Sequence, residues 1–79
     1  MAKTKKSENE FAKVGARIRE LRIKKGYTSA ESFAYDHDLN RVQYWRMERG
    51  TNLTLKALFR ILRIHKLHPE EFFKGMKVS

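Results

Sequence analysis

Arg41, Arg46 and Arg49 fall in one short stretch with Asn40, Gln43 and Trp45. A guanidinium is charged at any physiological pH and offers N–H donors in a fixed fork, which suits a pair of acceptor atoms such as two phosphate oxygens or the O6/N7 edge of guanine. The histidines suggest a second chemistry, because His65 and His68 stand three apart and His37 is a third potential zinc ligand. Their surroundings argue against it: His65 reads as a semi-buried ring and His68 as a helix cap, so neither metal nor cofactor is expected. The acid pairs, Glu70 with Glu71 and Asp36 with Asp38, fall at helix ends or in a turn. No nucleophile and base are paired and no glycine-rich phosphate loop is present, so the chain does not read as an enzyme.

The chain as a whole must build whatever positions those arginines. Its 79 residues support one compact domain with one core, too small for a deep small-molecule pocket. Without cysteine there is no disulfide or thiolate site, so packing must hold it, helped by any dimerisation. Eighteen Lys and Arg against nine Asp and Glu give a net charge of +9, which favours a polyanionic partner. The apolar runs are too short to span a bilayer and the N-terminus lacks a signal-peptide core. The expectation is a soluble, cytoplasmic and nucleoid-associated protein with no membrane partner.

The pattern along the chain is helical throughout. Residues 1–7 read as a basic flexible tail, solvated or trailing along phosphates, and residues 8–79 as the domain. From about Glu8 to Lys25, Phe11, Val14, Ile18 and Leu21 recur at helical spacing, and Gly26 offers a left-handed stop. Ser29 caps a second helix to about Asp36, carrying Phe33 and Ala34 inward. After His37-Asp38-Leu39, Asn40 caps a third that runs to about Arg49 and turns Tyr44 and Met47 to the core with Leu39. Thr54 opens a fourth with Leu55, Leu58, Ile61, Leu62 and His65 inside and Lys56, Arg60 and Arg63 outside. Proline at the first helical position marks a fifth at His68-Pro69. No stretch alternates as a strand does, so the fold class is all-α, with five helices.

Ala34 is the small residue that lets the second and third helices meet at a steep angle across their turn. The outer face of the third helix then presents Arg41, Val42, Trp45, Arg46 and Arg49, with Gln43 to one side. A B-DNA major groove admits one helix, which makes Arg41 and Arg46 the leading base-readers and places Val42 to meet a thymine methyl. Asn40 can cap its helix and bond a phosphate or an adenine. Trp45 has three readings: stacking on DNA, covering a gap beside Phe33, or a dimer contact.

On VGARIRELRIKKG in the first helix, FA in the second, RMERG closing the third and LFRILRIHKLHPEEFF over the last two, the stretch from Val14 to Phe73 resembles the helix-turn-helix domain of phage repressors and Cro proteins, the Xre-like family. The resemblance implies a lambda-repressor-like fold with the helix-turn-helix formed by helices 2 and 3. It also implies sequence-specific binding of double-stranded DNA by a transcriptional regulator, repressor-like in kind. It would pair Glu48 with Arg22, run the loop after the third helix along the phosphates through Arg49, Thr51, Asn52 and Lys56, and assemble two copies on half-sites about 34 Å apart. Phe72, Phe73 and Met76 form an apolar surplus suited to that homodimer.

Some positions depart from the family pattern. Ala30 stands where a phosphate-bracing glutamine is common, Asp38 where the turn has glycine, His37 where leucine is usual and Trp45 where a small or polar residue is common. The loop from Gly26 to Ser29 is also longer. The rival reading is an antitoxin-like module that binds and silences a partner protein. RNA binding is weaker, because the aromatic residues form no stacking platform.

Overall fold

The turn signals fix where each helix starts and stops. The computed structural model describes residues 2–76, with side chains from Glu10 onward. It contains α1 (Ala2–Lys24), α2 (Ala30–Asp36), α3 (Arg41–Glu48), α4 (Leu55–Ile64) and α5 (Pro69–Phe72), and no strand among the described residues. Ser29, Asn40 and Thr54 each lie in extended backbone and accept a bond from the amide three residues on: Ser32 at 3.1 Å, Gln43 at 3.0 Å and Ala57 at 3.1 Å. Each cap satisfies an amide that the first turn would otherwise leave without a partner, worth about 1 kcal/mol. At α5, Pro69 takes the first position and the Glu71 carboxylate reaches back to the amide of His68 at 3.2 Å.

Helix α1 begins at Ala2, well before Glu8, so the segment expected to be a tail carries helical backbone. Its Ala and Lys residues favour helix and no Gly or Pro interrupts them; its lysine side chains lie outside the described residues. The helix stops before Gly26, whose φ of +103° is the left-handed value a glycine tolerates.

The core comprises Ile18, Phe33, Ala34, Tyr44, Met47, Leu58, Ile61, Leu62 and Phe72. Phe33 is its centre, with Tyr27 at 5.2 Å edge-on, Tyr44 at 5.0 Å, His37 at 4.5 Å and His65 stacked at 5.3 Å. The imidazole of His37 thus fills an apolar place in the turn by packing on Phe33. Two expected core residues lie outside. Phe11 is 53% exposed and Leu55 70%, because each stripe continues past the point where another helix covers it: Leu55 is the first residue of α4, and Phe11 lies a full turn before Gly15, where α1 meets α3.

Gly15 sets that meeting. A Cβ there would lie 2.5 Å from the Glu48 carbonyl oxygen, 2.7 Å from the Gly50 nitrogen and 2.8 Å from the Met47 carbonyl oxygen. Gly50, at a φ of +79°, abuts the Phe11 carbonyl in the same way. The end of α3 therefore rests on bare backbone of α1. Arg17 closes the other end, donating from Nε to the Phe72 carbonyl at 3.2 Å and from Nη2 to the Glu71 carbonyl at 3.4 Å.

The histidine packing carries a pH dependence. Burial, reinforced by Lys25 and His37, lowers the pKa of His65 from 6.5 to about 4, and its buried Nε2 finds no hydrogen-bond partner among the described residues. Between those values the unfolded chain binds a proton that the folded one rejects. The stabilisation is therefore complete above about pH 6.5 and is lost as pH falls towards 4. Solvent screening of a partly exposed ring reduces the effect to about 1–2 kcal/mol. Urea unfolding at pH 7 and pH 4.5 should show this loss in the native chain and a smaller one in His65→Leu; equal losses in both would assign the acid sensitivity elsewhere.

Candidate nucleic-acid interface

Helix α3 is held from inside and bare outside. Tyr44 and Met47 enter the core, and residues 37–40 join α3 to α2 through Asp38 at a φ of +57°. Leu39 donates to the Ala34 carbonyl at 2.8 Å, and Arg60 of α4 donates to the Asp38 carbonyl at 2.9 Å. Ala34 is fully buried where the two helices meet. Arg41, Val42, Gln43, Trp45, Arg46 and Arg49 are all exposed.

Those exposed residues differ in what engages them. Arg41 is paired across the turn with Glu31 of α2. Arg46 enters no ion pair among the described residues. Its carbonyl accepts from the Thr51 amide at 2.9 Å and the Thr51 hydroxyl at 3.0 Å, so Thr51 ties down the end of α3. Trp45 is half exposed with the Arg49 guanidinium 4.7 Å from its ring centroid. The rings set around Phe33 are those of Tyr27, His37, Tyr44 and His65.

The residues expected to grip phosphate divide into two groups. Asn40, Asn52 and Lys56 line one recess between α3 and the start of α4, with Gln43 and Arg60. Arg49 lies in a different recess, with Arg19, Thr28, Ser29 and Trp45. Asn52 occupies left-handed backbone at a φ of +52°, which asparagine tolerates.

Behind α3, Arg22 and Glu48 form a two-bond fork: Nε to Oε2 at 2.7 Å and Nη2 to Oε1 at 3.2 Å, with a third bond from Nη1 to the Tyr27 carbonyl at 2.9 Å. The hydrogen bond to Glu48 raises the Arg22 pKa above its ordinary value against the opposing effect of burial. On the Tyr44 phenol burial acts in the other direction and pushes its pKa up.

Of the three residues assigned to a dimer contact, Phe72 is fully buried in the core. That assignment is corrected: α5 folds back against the bundle under the Arg17 bonds, leaving Phe73 exposed edge-on to Phe72 at 4.9 Å and Met76 partly buried on the core. Among the described residues no three His, Asp or Glu side chains gather as a metal would need, and no helix is long and apolar enough to cross a membrane.

Sequence reasoning missed Gly15, Arg17 and Glu31. A glycine inside a helical pattern is a signal that another backbone comes close. Nothing in the spacing links Arg17 to α5 or Glu31 to Arg41. No protein-family model, curated protein or solved structure matches the chain.

Proposed function

We propose that this chain is a sequence-specific double-stranded DNA-binding regulator, repressor-like in kind, whose α3 enters the major groove and which acts as a homodimer on paired half-sites. The observation that carries the reading is the outer face of α3. Arg41, Val42, Trp45 and Arg46 stand exposed on a helix anchored from behind by Tyr44, Met47 and the Arg22–Glu48 fork, with cations in the recesses to either side. A net charge of +9 supplies long-range attraction to phosphate. The α2–turn–α3 unit serves in this reading as the helix-turn-helix that the Xre-like resemblance implies.

The test is selection of bound sequences from a random duplex library at near-physiological salt, where non-specific phosphate binding is weak. Enrichment of one motif, as an inverted repeat if two copies bind, is expected. On the selected site, Arg46→Ala should cost about 1–3 kcal/mol and relax the preference at one base pair. An equal loss on every sequence would remove Arg46 from base reading. Lys56→Ala should instead weaken all sequences alike and flatten the dependence of log K on log salt by about one unit.

A second reading, the antitoxin-like module, is favoured by Leu55 and Phe59, exposed one turn apart on α4, with Phe73 also exposed. A stoichiometric protein partner recovered from the native host, together with DNA binding no better than on random sequence, would establish it in place of the first.

A further inference from the structure

The cations on α3 are not equivalent. Arg46 has no acidic partner among the described residues and Arg49 lies over Trp45, whereas Arg41 is engaged by Glu31 from the first turn of α2. Both members of the pair are well exposed, with side chains 70% and 66% accessible, and they flank a shallow groove floored by Ala30, Val42 and Trp45. The contrast with Arg22 and Glu48 is informative. That pair is enclosed at 6% and 7% and joins α1 to the end of α3, while an ion pair as open as Glu31–Arg41 adds little to folding and exchanges readily for another partner. Holding a carboxylate beside a base-reading arginine also costs general attraction to DNA, because it neutralises a charge on the surface that faces phosphate.

Resting on the DNA-reading function proposed above, we propose that Glu31 is a specificity-determining residue: it occupies the guanidinium of Arg41, withholding it from phosphate and releasing it to the paired acceptors of a guanine edge. A phosphate on an arbitrary sequence offers acceptors that Glu31 already supplies, so the exchange gains nothing there. The O6 and N7 atoms of guanine match the planar fork in two bonds within the groove. Glu31 thus acts by depressing binding to wrong sequences, a common source of specificity.

The readout is the salt dependence of binding to random duplex DNA, which counts the phosphates neutralised. In Glu31→Gln, Arg41 is free to take one phosphate, so the slope should steepen by about one unit and random-sequence affinity at near-physiological salt should rise several-fold. The ratio of selected-site to random-site affinity should fall correspondingly. In an Arg41→Gln background the same change should leave the slope where it was. Loss of one negative charge acting at a distance would instead raise affinity equally in both backgrounds, and that result, or an unchanged slope and ratio in Glu31→Gln, overturns the proposal. Both side chains are exposed, and equal melting temperatures verify that the variants fold. If the native chain selects no motif at all, the DNA-reading function falls and this inference with it. If it selects a motif and Glu31→Gln behaves as the native chain does, only this inference falls.

Discussion

Arg22→Met is expected to destabilise the folded chain by about 3–5 kcal/mol, because it leaves the Glu48 carboxylate enclosed without its counter-charge. The residue is 5% exposed, and the change removes all three of its bonds, two to Glu48 and one to the Tyr27 carbonyl. A domain of this length has about 4–12 kcal/mol in total, so the loss is a large part of what holds it folded. Urea or thermal unfolding measures it directly. The double variant Arg22→Met/Glu48→Met separates the two components of the loss. If most of it is the cost of the abandoned carboxylate, the double variant should recover most of the stability, since two apolar side chains of similar volume can replace a buried pair at little cost. A double variant as unstable as the single one would instead make the fork itself a principal source of stability.

The fork also bears on the proposed function. Glu48 is the last residue of α3, and Arg22 belongs to the α1 face that carries Gly15 and Ile18. A recovered double variant that folds well but discriminates poorly between the selected site and random DNA would show the pair aligning α3 rather than stabilising it. The distinction needs both measurements on the same protein.

The helix inventory was legible because it rests on local chemistry. Ser29, Asn40 and Thr54 announce helix starts through a side-chain oxygen that can satisfy a free amide, and Pro69 through a fixed φ. These signals act over three residues, and the four helices they start lie where those residues put them. The signals fade where the outcome depends on what lies across the bundle. Phe11 and Leu55 have the right spacing for burial, but periodicity says only which face a residue occupies, not whether a neighbour extends far enough to cover it. Phe72 erred in the opposite direction. Its position near the end of the chain suggested surplus apolar surface, and only the fold-back of α5 onto the bundle makes it core.

The candidate site divides along the same line. The exposed face of α3 was readable, since the inward placement of Tyr44 and Met47 determines where Arg41, Val42, Trp45 and Arg46 must point. The pairing of Arg41 with Glu31 was not, because it depends on how closely α2 approaches α3 across residues 37–40. Nor was the separation of Arg49 from Asn52 and Lys56, close as they are in sequence, because the end of α3 and the start of α4 face different recesses.

Gly15→Ala is expected to have the other large effect, and its sign opposes helix propensity. Alanine is the better helix former by about 1 kcal/mol, so an unobstructed position in α1 should gain from the change. Here the added methyl would lie within 2.8 Å of three α3-terminal backbone atoms, the carbonyl oxygens of Met47 and Glu48 and the nitrogen of Gly50. None of these can rotate aside as a side chain would. Relief requires α3 to move away from α1, and that movement strains the 2.7 Å bond between Arg22 and Glu48 on the same face. Overpacking against backbone falls at the upper end of the usual cost, about 3 kcal/mol, so it should outweigh the propensity gain and leave a net loss of about 1–2 kcal/mol. For a domain this small, that is a fall in melting temperature of roughly 5–15 °C. Ala16→Gly at the exposed neighbouring position calibrates the propensity effect alone, at about 1 kcal/mol lost. If Gly15→Ala instead raises the melting temperature, the end of α3 is free to ride on a side chain at that position. Close contact with bare α1 backbone would then no longer account for how the proposed reading helix is set.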